Sequence, residues 1–262
     1  MIQLRQYVKV QSLDEAYELN QNRNNVIIGG MHWLKMSHKN MGTAIDLSGL
    51  SLDEITETDD AFEIGCMVTL RELELHESLN VYCNGAIKDA LKDIVGTQFR
   101  NTATVGGTIY GRYGFSDVLT VLMAMDTTVV CHKAGEISLS DYADMDYDRD
   151  VVSKIIIKKK PVKMAYLSIR RTRTDFPVLT CAVSFLDGKY KAVVGSRPLR
   201  AKAFYDEEGA LEKGINEESA LKFADYVTQK IVFASDMRGS KEYRQMTAPV
   251  LIKRALLKIA DE

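Results

Sequence analysis

The sequence predicts a mixed α+β fold with two domains, and three observations lead to this prediction. Helix and strand patterns alternate through the first 160 of the 262 residues. Two β-prone runs then flank Asp187 and Gly188, a pair typical of a hairpin turn because glycine accepts the positive φ that the turn requires. All four prolines lie at or beyond Pro161, directly after the basic run 158–160. This change in composition predicts a domain boundary near residue 160.

The helices of the first half are predicted from capping and from apolar spacing. In 12–15 and in 69–72 a hydroxyl residue stands three positions before a glutamate, which is the capping box that begins a helix. A third helix, ending at Gly96, is predicted from apolar residues at helical spacing, which are Ile87, Leu91, Ile94 and Val95.

The predicted strands alternate with these helices. In the first half they are the apolar or alternating runs 26–28, 44–47, 62–66, 127–131 and 151–157. In the second half, strands over 181–186 and 190–194 flank the hairpin turn. Helices over about 217–232 and 240–258 follow, with Pro249 inside the second, where it should kink the helix or open its first turns.

The composition is that of an ordinary globular protein. Hydrophobic residues make up 46% and charged residues 27%, and 34 Lys and Arg balance 36 Asp and Glu. A net charge of −2 disfavours a general nucleic-acid binder. No run approaches the roughly 20 apolar residues of a membrane helix, and the charged N-terminal segment lacks the apolar centre of a signal peptide. We therefore expect a soluble, cytoplasmic protein.

Cysteine and histidine spacing disfavours a metal site. None of the four cysteines or four histidines forms a closely spaced pair of the kind that binds zinc or an iron–sulfur cluster. A disulfide framework is not expected in a chain of this size without a secretion signal. We interpret the cysteines as small, mostly buried thiols.

Two glycine-rich segments have compositions that are not typical of a buried core element or of a plain surface loop. In 26–34 an apolar strand runs directly into a glycine pair, and in 100–117 four glycines, several hydroxyls and Asp117 fall within 18 residues. Glycine lets the backbone approach a ligand closely, and successive amides in such a turn can bind phosphate. Neither segment is a GxGxxG or a P-loop motif. From the residues alone, a simple turn in the first segment and a helix cap at Ser116 or Asp117 stay open.

Together these segments resemble the FAD-binding, or medium, subunit of the xanthine dehydrogenase and aerobic carbon monoxide dehydrogenase family, also called molybdenum hydroxylases. The sequence IGGMHWL at 28–34 is similar to the family motif A-G-G-[TH]-[DS]-L. TVGGTI at 104–109, followed by Ser116 and Asp117, is similar to T-[IV]-G-G-N-[IL] and S-D. DMRGSKEYR at 236–244 resembles D-x-R-[AG]-S-x-x-Y-R. The resemblance runs in order from about residue 4 to residue 258.

The resemblance implies a particular architecture. A two-lobed α/β FAD-binding domain of the vanillyl-alcohol-oxidase or PCMH-like type is implied for 1–160, with lobes at about 1–52 and 53–160. A smaller α+β domain with an antiparallel sheet, like the C-terminal domain of the carbon monoxide dehydrogenase flavoprotein, is implied for 161–262.

The resemblance also implies that FAD binds to this chain. The pyrophosphate would lie against the amides of both glycine pairs, with hydroxyls from Thr104 and Thr108. Asp117 would contact a sugar or ribityl hydroxyl, and Ile156 could lie along the flavin ring. The predicted cofactor-binding residues are Ile28, Gly29, Gly30, Met31, His32, Trp33, Thr104, Gly106, Gly107, Thr108, Ser116, Asp117 and Ile156.

No catalytic residue and no metal ligand is implied on this chain, because the flavin carries the redox step. Electrons would arrive from the 2Fe-2S clusters of a small ferredoxin-like subunit and leave to NAD or another acceptor. A large molybdopterin-binding subunit would hydroxylate the substrate, for which we expect a purine or another N-heteroaromatic compound. A chain of 262 residues is too short to hold all three redox groups.

Three departures from the family motifs keep alternatives open. Met31 and His32 replace the usual hydroxyl or acid of the first motif, and Thr108 replaces the usual asparagine of the second. A non-flavin assembly or regulatory protein on the same scaffold is one alternative. A phosphate-binding module unrelated to redox would explain the glycine turns but not the C-terminal signature. Tyr110 and Tyr113 could stack near the flavin ring or be surface aromatics.

Overall fold

A computed structural model describes residues 2–38 and 40–261. The strands are β1 Gln3–Lys9, β2 Val26–Ile28, β3 Asn40–Asp46, β4 Ile55–Glu57, β5 Ala61–Gly65, β6 Thr127–Cys131, β7 Gly135–Ser138, β8 Val152–Lys158, β9 Val162–Ile169, β10 Leu179–Leu186, β11 Lys189–Gly195 and β12 Lys202–Tyr205. The helices are α1 Leu13–Asn20, α2 Leu70–Leu75, α3 Glu77–Tyr82, α4 Ala86–Leu91, α5 Thr97–Arg100, α6 Val105–Gly111, α7 Asp117–Met123, α8 Leu139–Asp144, α9 Glu217–Lys230 and α10 Lys241–Asp261. The predicted fold class, a mixed α+β chain with an antiparallel sheet in its C-terminal part, is confirmed.

The described residues divide into two compact units, each built from several segments of the chain. The first unit comprises the described residues up to Leu73 together with Thr97–Gly111 and Thr127–Lys158. The second comprises Glu74–Gly96, Arg112–Asp126 and the described residues from Lys159 onward. The second glycine-rich segment therefore contributes to both units.

The first unit contains a parallel sheet in the order β1-β3-β2. Helix α1 connects β1 to β2, and the hydroxyl of Ser12 accepts a hydrogen bond from the amide of Glu15 at 3.1 Å, as the capping box predicts. The carboxylate of Glu15 reaches back to the amide of Gln11, at 2.8 Å, rather than to that of Ser12. Strand β2 is the predicted apolar run, and the glycine pair follows it directly.

The first unit also contains an antiparallel sheet in the order β4-β5-β8-β6-β7. Its central strand, β8, alternates between fully buried residues such as Ile155 and Ile157 and the half-buried Ile156. The capping box at Thr69 is confirmed, because its hydroxyl accepts from the amide of Glu72 at 3.2 Å and the glutamate accepts from the amide of Thr69 at 2.8 Å. This box begins α2.

The second unit is built on an antiparallel sheet in the order β12-β11-β10-β9. The predicted hairpin joins β10 to β11, and its turn residues Asp187 and Gly188 have φ of 51° and 76°. Cys181 and Val183 pack into an apolar cluster with α9 and α10. On the opposite face of β10, the hydroxyl of Ser184 donates to the carbonyl of Ala124, after α7, at 2.6 Å. Both faces of β10 are covered, which explains its nearly continuous apolar sequence.

The helix predicted to end at Gly96 is shorter than expected, so that prediction was wrong in its last turn. Helix α4 ends at Leu91, and the amide of Ile94 donates to the carbonyl of Leu91 in a tighter, three-residue turn. Val95 has a φ of 50°, which a right-handed helix does not contain. Apolar spacing alone did not reveal this turn, because Ile94 and Val95 keep the helical spacing after the helix has ended.

Arg244, in the first turn of α10, is fully buried and holds several connections of the second unit together. Its Nε donates to the carbonyls of Val178 and Ser196 at 2.9 and 3.1 Å. Its Nη1 donates to the carbonyl of Ala234 at 3.0 Å, and its Nη2 pairs with Asp236 at 2.7 Å. The C-terminal motif 236–244 therefore has a structural role, because its last residue ties the β9–β10, β11–β12 and α9–α10 connections to one guanidinium.

The four cysteines are buried and free, in agreement with the interpretation from sequence. No helix within residues 2–38 and 40–261 is both long enough and apolar enough to cross a membrane.

We predict that Arg244→Met lowers the free energy of unfolding by about 3–5 kcal/mol, because Asp236 and the carbonyls of Val178, Ser196, Ala234 and Gly239 lose their charged donor. Urea denaturation of the full chain measures this loss. Arg254→Met is the matched control, since Arg254 is exposed on the same helix and should change stability by less than about 0.5 kcal/mol. Equal losses in the two variants would contradict the central role of Arg244.

Candidate functional site

The first unit contains a cleft with walls from its parallel and its antiparallel parts. The cleft encloses about 660 Å³ of empty space, part of it open to solvent. Its lining residues are Asn20, Asn25, Val26, Ile27, Ile28, Gly29, Leu47, Cys66, Met67, Thr104, Gly106, Gly107, Tyr110, Arg149, Asp150, Val151 and Val152. Five of the residues predicted from sequence line it, namely Ile28, Gly29, Thr104, Gly106 and Gly107.

The two glycine segments pack directly against each other at this cleft. A Cβ atom on Gly30 would lie 2.1 Å from the carbonyl oxygen of Thr102, and one on Gly29 would lie 2.6 Å from Oγ1 of Thr104. Both distances are far below van der Waals contact, so any side chain on Gly30 would push the segments apart. The glycine pair is therefore required by the approach of the second segment, which sequence analysis could not show.

The turn after β2 presents three successive backbone amides. Within the described ranges, no acceptor is bonded to the amides of Gly30, Met31 or His32. Met31 has a left-handed φ of 57°, which is uncommon for a residue with a side chain. A left-handed residue within such a turn directs successive amides toward one side, where they can bind an anion. This turn is therefore a candidate for binding an anion.

The second glycine pair lies in a helix, which corrects the expectation of a loop with exposed amides. The amide of Gly106 donates to the carbonyl of Cys66 at 2.8 Å, and the amide of Gly107 donates to Oγ1 of Thr104 at 3.2 Å. A Cβ on Gly107 would meet only that Oγ1, at 3.0 Å, and otherwise open space at the cleft. Gly107 thus leaves room for a ligand, whereas Gly106 makes room for Cys66.

The hydroxyl of Thr104 is placed between the two segments. Thr104 is buried, and because Oγ1 accepts from Gly107, its proton stays available to a ligand oxygen. Thr108 is half-buried one turn further along α6 and does not line the cleft.

His32 links the two glycine segments and does not line the cleft. Its Nε2 lies 2.7 Å from Oγ1 of Thr102, and its ring centroid lies 3.9 Å from that of Phe99. Burial, with the nearby charge of Lys35, lowers the pKa of His32, so the ring is neutral at physiological pH. Met31 and Trp33, on either side, are likewise absent from the cleft lining.

Ser116 and Asp117 belong to the second unit, where both have structural partners. The hydroxyl of Ser116 caps α7 by accepting from the amide of Leu119 at 3.0 Å. The carboxylate of Asp117 is buried and accepts hydrogen bonds from the hydroxyl of Tyr166 and from the guanidinium of Arg170. The helix cap that sequence analysis left open is thus present, and it is formed by Ser116.

The remaining predicted residues fall in different places. Ile156, on the half-buried face of β8, does not line the cleft of the first unit. Tyr110 does line it, and its hydroxyl donates to the carbonyl of Asp148 at 2.8 Å. Tyr113 lies in the second unit, stacked on Phe115 with ring centroids 5.2 Å apart.

Sequence analysis missed four polar residues of the cleft, which are Asn20, Asn25, Arg149 and Asp150. The asparagines flank the turn before β2, and the charged pair follows an acid-rich run before β8, so each resembled an ordinary surface connection. Their common location depends on how the two sheets of the first unit meet. No local pattern in the sequence reports that arrangement.

The chemistry of the cleft is that of a binding site. Burial raises the pKa of the Cys66 thiol to about 12, so this thiol is not a nucleophile at physiological pH. Among the described residues, no group of three or more His, Cys, Asp or Glu side chains could hold a metal ion. Free amides, a hydroxyl and room at Gly107 instead suit the phosphates of a nucleotide cofactor. The fold and the cleft define a cofactor-binding protein of the α+β class.

Comparison with known families identifies the cofactor. Residues 2–159 match the FAD binding domain in molybdopterin dehydrogenase, and residues 164–259 match the CO dehydrogenase flavoprotein C-terminal domain. The chain therefore belongs to the FAD-binding flavoproteins of the molybdopterin dehydrogenase family, and the family and cofactor predicted from sequence are confirmed.

Relatives match over nearly the whole chain. The uncharacterized protein YgfM of Escherichia coli K12 is 28% identical over 257 residues, covering 95% of this chain and 94% of that protein. The glyceraldehyde dehydrogenase medium chain of Sulfolobus acidocaldarius is 23% identical, covering 97% and 98%. A carbon monoxide dehydrogenase structure from Hydrogenophaga pseudoflava superposes with a TM-score of 0.83 at 22% identity, covering 97% of this chain and 96% of that chain. This last comparison shows a shared fold.

We predict that Gly30→Ala lowers the free energy of unfolding by at least about 1–3 kcal/mol, because the new Cβ would lie 2.1 Å from the backbone carbonyl oxygen of Thr102, which cannot rotate away as a side chain can. Gly107→Ala is the control. Its Cβ meets a rotatable hydroxyl, and alanine gains up to about 1 kcal/mol of helix propensity in α6. Thermal unfolding of both variants without FAD measures the difference, and equal stability would contradict the close packing.

Proposed function

We propose that this chain holds FAD in the cleft and acts as the electron-transfer subunit of a multi-subunit molybdenum hydroxylase. The proposal depends on one observation above the others. The amides of residues 30–32, which bond to no acceptor among the described residues, lie in the turn that packs against the segment leading to α6, where Gly107 opens onto the cleft. The family match to an FAD binding domain supports the same assignment.

The residues fit the phosphate portion of FAD. We assign the pyrophosphate to the amides of Gly30, Met31 and His32, with the hydroxyl of Thr104 as a further donor. Gly107 admits the phosphate because a side chain there would extend into the cleft. The predicted roles of Thr108, Ser116, Asp117 and Ile156 stay part of the proposal.

FAD, when bound, supplies the redox chemistry, because its ring can accept and release electrons. The chain itself binds and orients the cofactor and excludes water from the buried part of the cleft. None of the described cleft residues needs to act as acid, base or nucleophile for this role. The neutral His32 and the protonated thiol of Cys66 are consistent with it.

The proposal includes partners that carry the other redox groups. A small ferredoxin-like subunit with 2Fe-2S clusters would deliver electrons to the flavin, and a large molybdopterin-binding subunit would hydroxylate the substrate. The relative in Sulfolobus acidocaldarius is named as the medium chain of its enzyme, which supports a multi-subunit organisation. NAD or another acceptor would reoxidise the flavin, and a cytoplasmic location stays a prediction from the sequence.

The substrate is part of the proposal and is not chosen by this chain. We propose a purine or another N-heteroaromatic compound, oxidised on the large subunit. The related proteins are named for glyceraldehyde and for carbon monoxide, so the experiment below includes an aldehyde among the substrates.

We predict that the purified chain binds FAD at near one equivalent and that Gly107→Asp raises the Kd by about tenfold or more. The carboxylate would project toward the pyrophosphate, and like charges repel strongly in a partly desolvated site. Gly107→Asn is the matched control, with nearly the same shape and no charge. Flavin fluorescence titration gives the three affinities, and circular dichroism checks folding.

Two outcomes would contradict this assignment. A folded wild-type chain that binds no FAD would support the non-flavin alternative on the same scaffold. Equal Kd values for wild type, Gly107→Asp and Gly107→Asn would show that the pyrophosphate lies elsewhere.

We predict that the tagged chain, isolated from its native source, copurifies with one large molybdopterin-binding and one small 2Fe-2S subunit. Xanthine or nicotinate should then bleach the flavin absorption of the complex, and NAD should restore it. Glyceraldehyde is the comparison substrate and ferricyanide the comparison acceptor. Bleaching by glyceraldehyde alone would overturn the N-heteroaromatic substrate, and isolation as a single chain would overturn the proposed assembly.

A further inference from the structure

Arg149 lies on the cleft wall just before β8 and bonds to the opposite wall. Its Nη2 donates to the carbonyl of Asn22 at 3.0 Å, to the carbonyl of Asn25 at 2.9 Å and to Oδ1 of Asn20 at 3.1 Å. Its Nε donates to the carbonyl of Asn20. All these acceptors belong to the end of α1 and the connection before β2. One side chain therefore fixes the position of the segment that leads through β2 into the turn at residues 29–32.

The contact is reciprocal. Nδ2 of Asn20 donates to the carbonyl of Arg149 at 2.8 Å, and Nε2 of Gln21 donates to the same carbonyl at 3.1 Å. Asn20 is buried, so its amide group is not held by solvent. Main chain and side chain of Arg149 thus both bind one short connection of the parallel part.

The neighbouring residue fastens Arg149 to the antiparallel part. The carboxylate of Asp150 is buried and accepts hydrogen bonds from the amides of Lys133 and Ala134, in the β6–β7 turn, at 3.1 and 2.8 Å. It also accepts from the amide of Val151 at 2.7 Å. Asp150 is hydrogen-bonded to the antiparallel sheet, and Arg149 is hydrogen-bonded to the connection before β2 in the parallel part. The two residues therefore link the two walls at the edge of the cleft.

The charge of Arg149 has a second consequence. It is the single Lys or Arg among the described residues that line the cleft, and the acceptors bonded to it there are neutral. A half-buried cation bonded to neutral groups is incompletely compensated, whereas a nearby phosphate anion would compensate it. The carboxylate of Asp150 is bonded to three backbone amides rather than to this guanidinium.

We propose that Arg149 is a positioning residue for the flavin dinucleotide, because its planar fork fixes the spacing of the two cleft walls and the direction from which β2 enters the amide turn. The inference rests on the proposed FAD site. Lysine cannot replace arginine here, since an ammonium has no second nitrogen to keep the Nε bond to Asn20 while it bonds to the carbonyls of Asn22 and Asn25.

The experiment compares Arg149→Lys and Arg149→Met with wild type in the full chain. Both variants are expected to raise the Kd for FAD about tenfold or more, as measured by flavin fluorescence. Hydrogen exchange without FAD is expected to show faster exchange at residues 20–32 in both variants. This second measurement reports the wall itself and does not depend on activity.

Two controls separate positioning from general stability. Asp14→Asn removes the charge from another link between the same parts, the contacts of Asp14 with His132 and Lys133 at 2.9 and 2.6 Å, away from the cleft lining. Arg23→Met removes an exposed arginine from the same turn. Both controls should leave the Kd for FAD within about twofold of wild type.

The outcomes distinguish this inference from the proposed function. Wild type that binds FAD, with Arg149→Met binding equally well, overturns the inference alone. Full affinity in Arg149→Lys with loss in Arg149→Met would show that only charge matters, which also overturns it. If Asp14→Asn weakened FAD binding as much as the Arg149 variants do, Arg149 would only stabilise the first unit in general, and the inference would be overturned. Wild type that binds no FAD overturns the proposed function and this inference together.

Discussion

The site depends on one steric constraint, the absence of space between Gly30 and the carbonyl of Thr102. Because the backbones touch there, the turn after β2 and the segment before α6 form one surface, although about 70 residues separate them. Gly29 and the buried Thr104 both line the cleft, and the amides of residues 30–32 follow directly in the same turn. A larger residue at either glycine would push the two segments apart, so the proposed phosphate donors depend on the same close approach as the packing.

Some sequence motifs of the chain border the candidate site, and others stabilise the fold. The first glycine pair leads to amides that bond to no acceptor among the described residues, whereas the amides of the second pair bond to Cys66 and Thr104, and Gly107 leaves room for a ligand. The C-terminal motif 236–244 stabilises the fold, because Arg244 is buried and bonds to four carbonyls and to Asp236. Asp117, in the second unit, resembles Arg244 in having its hydrogen bonds filled by protein groups.

The structure explains the two departures from the family pattern in the first motif, Met31 and His32. His32 stacks on Phe99 and contacts Thr102, so it strengthens the contact between the segments without lining the cleft. Met31 contributes its backbone, with a left-handed φ, to the amide turn. Neither change removes a backbone donor, and backbone donors are what a phosphate site needs most. The turn can therefore depart from the family pattern in its side chains and keep its geometry.

The sequence by itself determined the fold class, the hairpin at Asp187 and Gly188, the capped helices and the two glycine segments, because each is encoded by residues close together in the chain. It did not determine that α4 ends at Leu91, since apolar spacing continues through a left-handed Val95. Only the tertiary structure brought Arg149 and Asn20 to one cleft edge and decided which glycine amides are free. Those facts depend on hydrogen bonds between segments about 130 residues apart, which no local pattern records.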